Sequence, residues 1–171
     1  LTGCGNDKNA GTGTDTNVSG ESKAKELAVV VGPEPDTIDP ALNSSVDGGT
    51  YIVHAFEGLM TLDENAQPVP GQAESVDISE DRLTYTFHLR DGLKWSDGSD
   101  LTASDFVYSW NRVINPETAA DYEGIFECVE GYDEGKLNVV AEDDKTLVVK
   151  LKADTPYFQE LCAFPAYAPV K

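Results

Sequence analysis

Tyr85, Phe87 and Leu89 alternate with Thr84, Thr86 and His88, and Val76 and Ile78 alternate with polar neighbours a few residues upstream. A period of two sends successive side chains to opposite faces, so each run is a strand with one face turned to a core. Ser79-Glu80-Asp81-Arg82 stands between them as turn material, and the two runs pair as a β-hairpin. Leu137–Ala141 and Thr146–Lys152 repeat the pattern, turning at Asp143-Asp144. Residues 60–71 form a further strand-and-turn segment punctuated by Pro68, Pro70 and Gly71.

Helical spacing appears between these strands. Residues 48–59 carry Tyr51, Ile52, Ala55, Phe56 and Leu59 on one face, with Gly58 near the end. Thr102-Ala-Ser-Asp105 is a helix start, with a capping hydroxyl and an acid three residues on. Phe106, Val107, Trp110 and Val113 supply that helix's apolar face, and Pro116 stops it. Short helices are expected over about 120–130 and from Pro156 through Cys162, the latter ended by Pro165. Glu26-Leu-Ala-Val-Val-Val-Gly32 reads as a buried strand, followed by an extended loop through Pro33, Pro35 and Pro40. Few parallel partners follow that strand, so it is expected to join a sheet completed by further chain. The class is mixed α/β.

The chain of 171 residues has 31 Asp and Glu against 12 Lys and Arg, a formal charge of −19. That field repels phosphate backbones, which excludes nucleic-acid binding. No apolar run reaches the ~18 residues of a membrane helix, and 40% hydrophobic residues suit a globular core. Residues 5–25 are the exception, polar and small, and are expected to be a flexible tether. Leu1-Thr2-Gly3-Cys4 ahead of that tether resembles a bacterial lipobox. On that resemblance Leu1–Gly3 end a signal peptide, and the Cys4 thiol carries a diacylglyceryl anchor.

The chain lacks the signatures of chemistry. His54 and His88 are its two histidines, and no GxSxG elbow, phosphate-cradling Gly loop, HExxH or CxxC occurs. Asp97-Gly98-Ser99-Asp100 and Asp133-Glu134-Gly135 lack the alternating ligands of a calcium loop and read as solvated turns. Cys128 and Cys162 sit in apolar surroundings, open to a disulfide or to buried free thiols. Trp95, Phe106 and Trp110 read as core. Tyr122, beyond the Pro116 stop, is the aromatic expected to present its ring and hydroxyl at a surface.

The run from Leu93-Lys-Trp-Ser-Asp-Gly to Phe106-Val-Tyr-Ser-Trp-Asn-Arg112 resembles the family 5 solute-binding proteins of ABC importers, the oligopeptide-binding group. Asp36-Thr-Ile-Asp-Pro40, Phe56-Glu-Gly-Leu-Met60, Pro68-Val-Pro-Gly-Gln-Ala-Glu-Ser75 and Leu83-Thr-Tyr-Thr-Phe-His-Leu-Arg-Asp-Gly92 precede or adjoin it in the family's order. Asn115-Pro116, Thr155-Pro-Tyr-Phe158 and Ala168-Pro-Val-Lys171 continue the series.

The resemblance implies the N-terminal part of a two-lobed, periplasmic-binding-protein-like fold (type II, cluster C), a mixed sheet with hairpins and short helices. On it, residues 26–46 hold the first strand and ligand loop of lobe I. Residues 47–171 hold the small domain inserted in that lobe, and the second lobe lies outside the chain. The implied activity is capture of oligopeptides outside the membrane and delivery to an ABC permease, by a lipid-anchored monomer that needs no catalysis, cofactor or metal. Ser44, Ser45 and Val46 fall at the family's ligand-backbone segment, departing from the acidic-Gly-Val pattern of its peptide binders, and Tyr122 falls at a ligand-facing aromatic. A binder of dipeptides, nickel chelates or sugars, a surface sensor or pheromone receptor, and an exported hydrolase using paired carboxylates are the rival readings.

Overall fold

Described from residue 28 to residue 171, the computed structural model gives three α-helices, six strands and two 3₁₀ turns. The helices are α1 (Val46–Ala55), α2 (Ala103–Val113) and α3 (Phe158–Leu161). The strands are β1 (Met60–Leu62), β2 (Pro68–Pro70), β3 (Ala73–Ile78), β4 (Thr84–Leu89), β5 (Val139–Ala141) and β6 (Thr146–Lys150). The 3₁₀ turns are Glu123–Phe126 and Pro165–Tyr167. The lipidation expected at Cys4 and the tether expected over 5–25 lie outside the described residues.

Both anticipated hairpins form and join into one four-stranded antiparallel sheet of order β3-β4-β6-β5. Tyr85 pairs with Val149 and Phe87 with Leu147, so the alternation that predicted each strand also aligns their apolar faces. Tyr85, Phe87, Leu89, Leu147 and Val149 are buried. β3 is an edge strand with a bulge between Ala73 and Ser75; beyond the bulge Val76 and Ile78 pair with Phe87 and Tyr85, and Ile78, at the strand's end, is exposed. β1 and β2 pair separately, Met60 opposite Pro70.

α2 lies against this sheet and buries Phe106, Trp110 and Val113, the face read from its spacing. The Asp105 carboxylate accepts the Thr102 backbone N–H at 2.7 Å and caps the first turn. Trp110 donates its indole N–H to the Tyr167 carbonyl at 2.9 Å. The Tyr167 ring stacks on Phe126 at 4.0 Å, and its hydroxyl donates to the Ile125 carbonyl at 2.9 Å. Residues 120–130 thus hold a 3₁₀ turn over Glu123–Phe126 where a longer helix was expected.

Two segments differ from the elements read in their sequence. Ala28–Val31 forms no strand, and Val29 and Val30 are 66% and 97% exposed. A strand needs a ladder partner, and among the described residues no strand pairs with this segment; every pairing present is antiparallel and joins other residues. The helix expected over 48–59 is α1, which starts earlier and stops at Ala55. Leu59 is buried beyond its end, while Tyr51 is exposed. Val31–Lys171 forms one compact unit.

Candidate functional site

α1 is set in place by polar bonds around its N-terminus. The Ser45 hydroxyl accepts the Gly48 N–H at 3.1 Å and caps the helix, while donating to Asn43 Oδ1 at 3.2 Å. The Asn43 amide donates to the Ser45 carbonyl at 3.0 Å. Gly48 is pressed so closely on this loop that a Cβ there would lie 1.9 Å from Asn43 Oδ1 and 2.7 Å from the Thr37 carbonyl. The loop is tied to α2 by the Asp39 carboxylate, which takes both prongs of the Arg112 guanidinium at 3.0 and 2.6 Å. Burial pushes the Asp39 pKa up. The Arg112 hydrogen bond, the Ala41 N–H, the Arg112 charge and the Leu42 N–H together outweigh it and hold the carboxyl below its ordinary value.

The helix so placed turns Gly48 and Ile52 inward. Val46, Gly49, Thr50 and Val53, at helical spacing on another face, line an open cleft of about 390 Å³. Asn43, Ser44 and Ser45 form one end of it, and Tyr122, Phe164 and Pro165 the opposing side. Tyr122 and Phe164 meet edge to face at 5.4 Å. Each is presented by a buried neighbour, since Phe126 anchors the turn after Tyr122 and Tyr167 anchors the turn after Phe164.

All four residues singled out as ligand-binding, Ser44, Ser45, Val46 and Tyr122, line this one cleft. Phe164, Asn43, Thr50 and Val53 were missed. The i, i+3, i+4, i+7 spacing of Val46, Gly49, Thr50 and Val53 is present in the sequence, but Gly and Thr make it a weaker apolar signal than the overlapping Tyr51–Leu59 stripe. For Phe164 only its position before Pro165 was available, and that is a helix-end signal.

Among the described residues, no acidic side chain, basic side chain or cysteine lines the cleft. Among the described residues, the Ser44 N–H and carbonyl and the Val46 N–H have no hydrogen-bond partner. The cleft therefore offers apolar and aromatic surface in a wall whose Ser44 and Val46 main-chain groups bond no other described residue, a combination suited to holding an extended chain by its backbone. His54 donates to the Thr50 carbonyl at 2.7 Å, and His88 bonds Asp77 at 2.8 Å on the sheet. Neither lines this cleft. Among the described residues no group of three His, Cys, Asp or Glu side chains is placed to hold a metal.

Residues 67–171 match the family described as bacterial extracellular solute-binding proteins, family 5 Middle. The oligopeptide-binding protein OppA of Bacillus subtilis is 39% identical over 94% of this chain and 31% of its own length. The substrate-binding domain of an oligopeptide ABC transporter from Bacillus anthracis superposes with a TM-score of 0.77 at 39% identity, covering 78% of this chain and 27% of that one. Listeria monocytogenes OppA bound to peptide superposes with a TM-score of 0.78 at 35% identity, covering 81% of this chain and 29% of that one. The chain thus spans about a third or less of the length of these relatives.

Proposed function

Since the chain belongs to the family 5 bacterial extracellular solute-binding proteins, we propose that its cleft is one wall of an oligopeptide-binding site in a substrate-binding protein of an ABC importer. The observation that carries this reading is the convergence of Ser44, Ser45, Val46 and Tyr122 on one uncharged cleft with free main-chain groups. Hydrogen bonds to a ligand's main chain are indifferent to its side chains, which is what acceptance of many peptides requires. Tyr122 and Phe164 give such a chain a flat apolar rest.

An open cleft on one side encloses little of a ligand, and a second lobe supplies the opposite wall. Cys4 anchors the protein outside the membrane through its lipid, and residues 5–25 let the folded part stand clear of the bilayer. The loaded protein hands its peptide to a membrane permease, and no bond of the peptide is made or broken. Equilibrium dialysis of the longer protein against a mixed peptide pool tests this. Retained, intact peptides support it; cleaved peptides, or no retention, refute it.

A further inference from the structure

Four large apolar or aromatic side chains in exposed positions meet at the cleft beside α1. Val46 and Val53 are 87% and 60% exposed, and Tyr122 and Phe164 stand on the opposing side. Single exposed apolar groups are ordinary, whereas several gathered round one concavity mark a binding surface. The charge around this surface is one-sided. The chain carries a formal charge of −19, and among the described residues no Lys or Arg lines the cleft. Arg112, the cation tied to the adjoining loop, has both prongs held by Asp39 at 3.0 and 2.6 Å. A carboxylate entering the cleft exchanges water for aliphatic and aromatic carbon, with no cation to receive it. An aliphatic side chain is stabilised by the same transfer.

Resting on the oligopeptide reading above, we propose that this surface is a side-chain subsite that ranks peptides, favouring an aliphatic residue over a small one and rejecting an acidic one. The backbone places a ligand chain against it. Ser45 is extended, with φ −108° and ψ 152°, so the Ser44 carbonyl and the Val46 N–H point to one edge and the main-chain groups of Ser45 to the other. The Asn43 amide holds the Ser45 edge, donating to the Ser45 carbonyl at 3.0 Å. A ligand strand is therefore bonded along the Ser44–Val46 edge, and Val46 belongs both to that edge and to the apolar surface. A chain held there brings one of its side chains onto Val53 and Phe164. The main-chain bonds admit peptides of any sequence, and the apolar surface grades them by the residue it receives.

The test titrates alanine peptides of three to five residues, with Leu or Asp replacing Ala at one position in turn, into the longer protein and its Val53→Lys variant. Val53 is exposed and Lys suits a helix, so the variant keeps its fold, and matching Tm values check this. At one peptide position the wild type is expected to bind Leu about tenfold more tightly than Ala, and Asp about tenfold more weakly. In Val53→Lys the new ammonium meets the ligand carboxylate, and the Asp peptide is expected to overtake the Ala peptide. A general loss of packing or stability lowers every affinity and does not reverse their order. Wild-type affinities within about twofold of one another at every position, or an order that Val53→Lys leaves unchanged, overturn the subsite while the oligopeptide reading stands. Binding of none of these peptides by the wild type overturns that reading, and the subsite with it.

Discussion

Asp39 and Arg112 lie 73 residues apart in sequence and meet in a two-pronged ion pair that fixes the loop before α1 to the end of α2. The same Asp39 side chain accepts the Ala41 N–H at 2.9 Å, and its own carbonyl accepts those of Leu42 and Asn43. One residue therefore shapes the loop and tethers it, and the cleft inherits its position from that tether.

Arg112→Ala leaves the largely covered Asp39 carboxylate without its cation and is expected to cost about 1–3 kcal/mol of stability, the range for leaving a covered polar group without its partner. The pair's contribution has a defined pH dependence. Asp39 has a folded pKa below its unfolded value, so its stabilisation is complete above about pH 4, near the unfolded value. It disappears as pH falls through the folded pKa. Urea unfolding of wild type and Arg112→Ala from neutral pH downward should show a difference constant at the upper end and shrinking below pH ~4, the unfolded carboxylate value. A difference independent of pH contradicts it.

Gly48→Ala places a methyl group against the Thr37 carbonyl and the Asn43 side chain. Asn43 can rotate, but the carbonyl belongs to the backbone, so the loop must move. We expect a loss of about 1–3 kcal/mol from overpacking, read as a lower Tm, whereas Gly49→Ala, whose nearest such contact is 3.8 Å, is expected to raise Tm, since Ala favours a helix interior by up to about 1 kcal/mol.

Tyr122→Ala and Phe164→Ala remove the aromatic side of the cleft. Both rings are more than a third exposed, at 39% and 37%, so Tm should change little. Peptide affinity of the longer protein is expected to fall about 5- to 30-fold for each, equivalent to roughly 1–2 kcal/mol. Titration calorimetry alongside thermal unfolding separates the two effects. A large Tm loss with unchanged affinity contradicts the assignment.

The 171-residue chain by itself is expected to bind peptides negligibly. Association costs rigid-body entropy, and one open wall recovers too little contact to offset it. Calorimetry of the isolated chain with the peptides retained by the longer protein should register no binding, and micromolar affinity contradicts the one-wall reading.

The hairpins and α2 were legible because local pattern and tertiary burial agree: Tyr85, Phe87 and Leu89 face the core their alternation pointed to, and so do Phe106 and Trp110. Elsewhere non-local contacts decide. Ala28–Val31 has strand composition but no ladder partner among the described residues, and composition cannot supply one. α1 presents Val46 and Val53 to the cleft although Tyr51, Phe56 and Leu59 form the more apolar pattern, because Gly48 must seat against Thr37 and Asn43. Tyr167, central to the aromatic core, sits in Pro165-Ala-Tyr-Ala-Pro169, where neither helical nor strand periodicity marks it. The residues Ser44–Val46 and Tyr122 were reached through family resemblance. Their meeting in one cleft depends on the Asp39–Arg112 pair and on the Tyr122–Phe164 contact, both of which join distant parts of the chain.

The most direct measurement is a crystal structure of the longer protein with a bound tripeptide. The peptide main chain should hydrogen-bond to the backbone of Ser44–Val46 and lie against the Tyr122 ring. A peptide bound without touching either side of this cleft contradicts the proposed site.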